Sequence, residues 1–283
     1  MIKLGLIGYP VTHSLSPKIQ NAALKACGLD GEYSLFPIAP DDMQALKNLL
    51  DRVRSGEITG LNVTIPHKQN VIPLIDELTP TAKAIGAVNI IYMRENKLIG
   101  DNTDAPGFLA DLKNVFDFSS FIFHPSTLIL GAGGSARSVV YALLNDGWSV
   151  TVAARRLQQA QQLASQFEGV NAIELNFQAF QLSNLQLLVN TTPLGMTPNT
   201  DQSPLPENTF LSKHTKIYDL VYNPRETKLV REAHAQGLSA TTGLGMLIEQ
   251  AALSFEIWTR HDPSREIMRS SIEQSPISNS PIL

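Results

Sequence analysis

The sequence predicts an α/β protein built on mostly parallel sheets. Three observations predict it. Strand and helix signals alternate through the first third of the chain, the pattern of a sheet covered by crossover helices. A glycine-rich run follows a short apolar strand and opens a second helix. The length, 283 residues, suits two domains or one large one.

Taken in order, residues 2–7 read as a strand, 17–27 as a helix and 33–38 as a strand. Residues 41–54 have helical periodicity and begin with Asp41, which complements the helix dipole. Residues 58–65 read as a strand, 71–78 as a short helix, and 87–92 with 97–100 as a hairpin. A second unit begins near Thr127: strand 127–130, then a helix with Val139, Val140, Leu143 and Leu144 on one face, stopped by Gly147. Residues 149–154, 187–190 and 216–221 are further strands, and 117–126 is a connection. Residues 246–258 form an apolar helix expected to return to the first unit. From 270 onward the chain is rich in Ser and Pro, without a period, and reads as a loose tail.

Composition narrows the function. The net charge of −4, with Lys and Arg scattered, argues against nucleic acid as partner. Cys27 is the single cysteine, so no internal disulfide forms, which fits a reducing, cytoplasmic compartment. In a helical stretch it reads as a small buried residue. No signal peptide is expected from the start MIKLGLIGYP, and no apolar run is long enough to span a membrane. The six histidines form no metal-type pair, so no metal site is expected.

The glycine-rich run is Gly131-Ala132-Gly133-Gly134-Ser135-Ala136. Gly131 permits the tight turn, Gly133 lets the backbone approach a pyrophosphate, and Ala136 lets helix and strand pack closely. Amides at the helix start then face the phosphates. With a strand before and a helix after, the run reads as a Rossmann dinucleotide site. At the end of the next strand, NAD sites usually carry an acid for the ribose 2′-OH. Here stand Ala153, Ala154, Arg155 and Arg156. Two guanidinium groups suit a 2′-phosphate, so NADP is favoured; the plainer alternative is two solvated arginines opening a surface helix.

Three polar loops follow strands of the first unit, where ligands bind in open α/β sheets. Ser14-Leu15-Ser16-Pro17 offers two hydroxyls for a carboxylate; alone it reads as a helix start, with Ser16 capping and Pro17 first. Asn62-Val63-Thr64-Ile65-Pro66-His67-Lys68 presents an amide, a hydroxyl and an ammonium. A lone Lys is most often a solvated charge, but partly buried beside a carboxylate it exchanges a proton with an alcohol. Asp101-Asn102-Thr103-Asp104 is by itself a polar turn, and Asp104 is the carboxylate to pair with Lys68.

Together these segments resemble the shikimate dehydrogenase family, from Gly5 to about Phe255. Further matching runs are Gly86-Ala87-Val88-Asn89, Asn190-Thr191-Thr192-Pro193-Leu194-Gly195-Met196, Tyr222-Asn223-Pro224, and Gly243-Leu244-Gly245-Met246-Leu247 with Gln250. The resemblance implies an open, mostly parallel α/β substrate domain plus a Rossmann domain, with a cleft between them. The catalytic domain would comprise 1–105 and about 245–270, the NADP domain 106–244, and a flexible tail 271–283. It implies Lys68 as acid/base with Asp104 as partner, Ser14 and Ser16 on the substrate carboxylate with help from Tyr222, and Thr64, Asn89 and Gln250 on ring oxygens. Gly131, Ala132, Gly133, Gly134 and Ser135 would cradle the pyrophosphate, Arg155 would meet the adenosine phosphate, and Leu220 and Gly243 would line the nicotinamide.

The chain departs from the family in two places: Ala154-Arg155-Arg156 stands where Asn-Arg-Thr is frequent, and Pro80 where some members are acidic. Arg156 is expected to compensate at the first. The implied activity is NADP-dependent reduction of 3-dehydroshikimate, by a monomer or homodimer. Its rivals are a quinate/shikimate dehydrogenase using NAD, mildly disfavoured by Ser16, and a non-catalytic metabolite sensor on the same fold.

Overall fold

The computed structural model describes residues 1–118, 125–175, 184–206 and 209–273. The chain forms two compact units: Met1–Lys83, Ala87–Thr103 and Ile248–Leu283 in the first, Ala84–Gly86 and Asp104–Leu247 in the second.

The N-terminal elements are β1 (Ile2–Gly8), α1 (Ser16–Ala26), β2 (Gly31–Pro37), α2 (Met43–Arg54), β3 (Gly60–Val63), α3 (His67–Asn70), β4 (Glu77–Leu78), α4 (Pro80–Ile85), β5 (Ile90–Arg94) and β6 (Lys97–Asp101). The strands form one sheet in the order β2-β1-β3-β5-β6-β4. β1 runs parallel to β2 and β3, and β4 parallel to β6. The expected hairpin is β5–β6, antiparallel from Ile90↔Asp101 to Arg94↔Lys97. Its two turn residues, Glu95 and Asn96, both have positive φ, 51° and 59°, which matches the twist of the flanking strands. α2 begins where its Asp42 carboxylate accepts the Ala45 N–H at 2.9 Å. It buries Leu46, Leu49, Leu50 and Val53, a single stripe, in a core shared with Ile7, Leu61 and Val63.

The second unit contains α5 (Asp104–Val115), β7 (Ser126–Leu130), α6 (Gly134–Asn145), β8 (Ser149–Ala154), α7 (Leu157–Ala164), β9 (Asn171–Glu174), β10 (Leu187–Asn190), β11 (Lys216–Asp219), α8 (Lys228–Ala235) and β12 (Ser239–Thr242). Its sheet is parallel throughout, in the order β12-β11-β10-β7-β8-β9. The chain leaves β7 toward β8 on one side and returns to β10 on the other, so the order reverses beside β7, where α/β sheets bind ligands.

α9 (Leu244–Thr259) starts in the second unit and continues into the first. Within the first unit its Trp258 indole donates to the Ile91 carbonyl at 3.3 Å. The ring covers Gly60 so closely that a Cβ there would lie 2.0 Å from Nε1. The other tryptophan, Trp148, belongs to the second unit, where it donates to Asp146 at 3.2 Å.

Three expectations are corrected. Residues 71–78 are not a helix: the helical turn comes earlier, in α3, a 3-10 turn follows at Ile72–Leu74, and Glu77–Leu78 pair with β6. Pro73 denies a helix the amide it needs there. Ser16 does not cap α1 but is its first residue, and the Ser14 hydroxyl accepts the Ser16 N–H at 3.2 Å. α10 (Arg265–Glu273) occupies the start of the presumed tail, burying Met268 and Ile272 one turn apart and packing on α1; residues 274–283 lie outside the described residues.

Candidate active site

In the first unit β1 and β3 are parallel neighbours, so the loops after them leave the same end of the sheet. Backbone bonds tie these loops together: Tyr9 N–H to the Ile65 carbonyl at 2.9 Å and Thr64 N–H to that of Ile7 at 2.8 Å. Ser14 and Ser16 follow β1. Thr64 and Lys68 follow β3. Ser16 is 7 % and Lys68 8 % exposed, so neither is an ordinary surface group. The Lys68 carbonyl accepts from Val88 N–H at 2.8 Å, fixing α3 against the segment that leads to Asn89. Next to it His67 is fully buried and donates Nε2–H to the Ile38 carbonyl at 2.7 Å.

Asn89 sits at the start of β5, its amide clamped by Thr103. Oδ1 accepts the Thr103 N–H at 2.7 Å, and Nδ2 donates to the Thr103 hydroxyl at 2.9 Å and to Gln250 Oε1 at 3.5 Å. Two expected site residues from distant parts of the chain therefore meet. Beneath them lies a network the sequence reading did not assign. Tyr33 donates its hydroxyl to Asn62 Oδ1 at 2.9 Å, and Asn62 Nδ2 donates to Ser254 Oγ at 3.0 Å and to the Asn89 carbonyl at 3.1 Å. Ser254 Oγ donates to the Gln250 carbonyl at 2.9 Å and lies 3.1 Å from Thr103 Oγ1. Buried polar groups need such partners. Their effect here is to hold the Asn89 side chain in place and to tie α9 through Ser254 to Asn62 and Thr103.

Asp104 opens α5 in the second unit and is 5 % exposed. In the same unit the glycine run forms the turn between β7 and α6. Gly131 has φ +109°, and a Cβ there would lie 2.6 Å from Thr191 Oγ1, so only glycine fits. Nothing lies within 4 Å of a Cβ placed on Gly133. That residue is the N-cap of α6 and offers no side-chain cap. Helix-start amides lack intrahelical acceptors, and with open space before them they fit a pyrophosphate. Ala136 is fully buried at the helix–sheet contact. After β8 come Arg155 and Arg156, both exposed, with no acid between Ala153 and Arg156. This donor set fits a 2′-phosphorylated dinucleotide.

Leu220 and Tyr222 follow β11. Leu220 N–H donates to the Asn190 carbonyl at 2.9 Å. A Cβ on Gly243 would lie 2.3 Å from the Leu220 carbonyl oxygen, so these two expected cofactor residues touch through their backbones. The sequence reading missed Asp219, the last residue of β11 and fully buried. Its carboxylate accepts from Asn190 Nδ2 at 2.8 Å, Thr227 Oγ1 at 2.7 Å and Val221 N–H at 3.1 Å. Burial pushes its pKa up to about 6, against these three hydrogen bonds, which hold it down. Among the described residues no cluster of His, Cys, Asp or Glu is placed to hold a metal ion, and no helix is long and apolar enough to cross a membrane.

Comparison with known proteins agrees in both units. Three family models match: the shikimate dehydrogenase substrate binding domain over residues 6–91, shikimate / quinate 5-dehydrogenase over 119–197, and the shikimate 5'-dehydrogenase C-terminal domain over 243–273. The shikimate dehydrogenase (NADP(+)) of Carboxydothermus hydrogenoformans is 41% identical, the match covering 95% of each chain. The crystal structure of shikimate 5-dehydrogenase from Thermus thermophilus, in complex with NADP(H) and shikimate, is 38% identical with a TM-score of 0.85, covering 97% of this chain and 99% of that one. Quinate dehydrogenase from Corynebacterium glutamicum, in complex with NAD, is 31% identical with a TM-score of 0.84, covering 97% and 99%. On this near full-length relationship, the chain belongs to the shikimate dehydrogenase family.

Proposed function

We propose that this chain catalyses the reversible NADPH-dependent reduction of 3-dehydroshikimate to shikimate, a step toward chorismate and the aromatic amino acids. The observation that carries the reading is the 41% identity spanning 95% of both chains, because a match of that length includes the substrate loops as well as the nucleotide loop. A cytoplasmic setting goes with the single cysteine. The enzyme works as a monomer or homodimer, which light scattering resolves.

Ser14 and Ser16 hold the substrate carboxylate, with Tyr222. Thr64, Asn89, Gln250 and Asp104 take the ring oxygens. The residues from Gly131 to Ser135 hold the pyrophosphate, Arg155 and Arg156 the 2′-phosphate, and Leu220 and Gly243 line the nicotinamide. Bound NADPH supplies the hydride. As negative charge grows on the substrate carbonyl oxygen, the Lys68 ammonium donates a proton to it; in the reverse direction the Lys68 amine accepts the proton of the alcohol. Asp104 is the acid/base partner of Lys68 in this reading and orients the adjoining hydroxyl. The 8 % exposure of Lys68 supports this role, since an ordinary surface lysine would be fully solvated.

The test is nicotinamide absorbance with shikimate or quinate and either NADP⁺ or NAD⁺. Fast reduction with shikimate and NADP⁺ alone is expected. Equal rates with quinate and NAD⁺ would move the chain to the broader-specificity branch. No turnover with any pair, despite ligand-induced thermal stabilisation, would replace catalysis by sensing.

A further inference from the structure

Asp219 takes no part in the chemistry just described, yet three donors converge on its buried carboxylate. They come from three segments: Asn190 ends β10, Val221 lies in the loop after β11, and Thr227 caps α8. Asn190 passes the order on, its Oδ1 accepting the Thr192 N–H at 3.0 Å and the Thr192 hydroxyl at 2.7 Å. Thr227 Oγ1 in turn accepts the Val230 N–H at 3.3 Å. One carboxylate thus ties the 191–194 loop, the 220–227 loop and the start of α8 together. Leu220 and Tyr222, the residues assigned above to nicotinamide and substrate carboxylate, sit inside the span it holds.

We propose that Asp219 is a positioning residue for the hydride-transfer site, its ionised carboxylate being the anchor that keeps the Leu220–Tyr222 loop against the end of β10. The proposal rests on the dehydrogenase reading above.

Every contact uses the carboxylate as an acceptor. Protonation at Oδ2 would take that lone pair from the Thr227 hydroxyl, whose hydrogen must then turn away from the carboxyl, and would weaken the acceptor offered to Asn190 and Val221. The anchor therefore works in one ionisation state. Among the described residues no ion pair holds it there. The three donors are neutral groups. Of the charged side chains on the flanking segments, Lys228 pairs with Glu232 at 3.6 Å and Glu226 with His234 at 3.4 Å. On its own strand Tyr218 donates to Asp111 at 2.5 Å, and Lys216 reaches Ser239 at 3.4 Å. Arg225 is exposed. None of these enters the balance at Asp219, which is burial against the three hydrogen bonds. Because burial lifts the pKa to about 6, the anchor should fail within the range a dehydrogenase assay covers.

The test compares wild type, Asp219→Asn and Thr227→Val by kcat and KM against pH, and by hydrogen exchange of the 220–227 segment against pH. Wild type is expected to lose kcat below a midpoint near 6, with exchange of the segment accelerating at the same midpoint. Asp219→Asn keeps the volume but loses acceptor capacity. It should lower kcat roughly tenfold, about one hydrogen bond to a charged acceptor, and abolish that acid limb. Thr227→Val removes a donor that favours the ionised form, so its acid limb should move to higher pH. If Asp219→Asn does not fold, the Thr227→Val shift decides. An acid limb unmoved in Thr227→Val, or wild-type kcat and limb in Asp219→Asn, would overturn the proposal. Lack of turnover by wild type would instead strike the parent reading, and the exchange profile would still judge the anchor.

Discussion

Lys68 is the residue on which the proposed chemistry turns. It is 8 % exposed at the start of a helix of one turn, where its ammonium is held rather than sweeping through solvent. Lys68→Ala is expected to lower kcat by about 10²–10⁴, the usual contribution of a general acid, while shikimate affinity measured by calorimetry stays within a few-fold. Near-normal turnover in the variant would remove Lys68 from the mechanism. Its role came only from the family resemblance, while its place just after a strand was legible because that loop is local, a strand, a turn and Lys68 within a few positions. Asp219 was not, because a lone Asp at a strand end reads as a turn. Its meaning comes from Asn190 and Thr227, which only the parallel pairing of β10 and β11 brings to it.

At the level of elements, the glycines separate folding from binding. Gly60 in β3 is covered by the Trp258 indole, with 2.0 Å left for a Cβ. Gly60→Ala should cost about 1–3 kcal/mol through overpacking, read as a lower urea midpoint. Gly133 has open space and an ordinary φ of −85°. Gly133→Ala should leave that midpoint within about 0.5 kcal/mol of wild type and weaken NADP⁺ binding in a fluorescence titration. Equal effects of the two substitutions on stability would refute the distinction. The glycine loop, α2 and the β5–β6 hairpin were readable because each is set by neighbours in sequence. The helix expected at 71–78 failed because apolar residues on both sides of Pro73 imitate a periodicity that the proline forbids. β9 and β12 are edge strands without the apolar run that marks β10, and acquire their state by pairing with β8 and β11.

For the whole molecule, the buried Asp219 makes stability depend on pH in a direction opposite to that of a salt-bridged acid. Its pKa is higher folded than unfolded, so the folded chain binds the proton more tightly. The stability this gives is complete below the unfolded value of 3.8 and is lost as pH rises through about 6. At 1.36 kcal/mol per unit, the rise corresponds to at most about 3 kcal/mol. Protonation thus favours the fold as a whole even as it releases the 220–227 loop. The Tm of Asp219→Asn relative to wild type should therefore climb between about pH 4 and about pH 7, measured by calorimetry; a flat difference would mean that Asp219 titrates as an ordinary carboxylate. The two-unit α/β architecture was visible in the order of strand and helix signals, whereas the passage of α9 from one unit to the other was only partly so, because apolar periodicity marks a helix without saying which sheet it covers.

The placement of the two tryptophans makes the protein its own two-channel optical reporter. Trp148 lies in the second unit and Trp258 in the first, beneath Gly60 and with its ring centroid 6.5 Å from that of Tyr33. Replacing either one by phenylalanine leaves an emission signal from a single unit. The melting of each half, and the response of each to shikimate or NADP⁺, then becomes readable without attaching any dye.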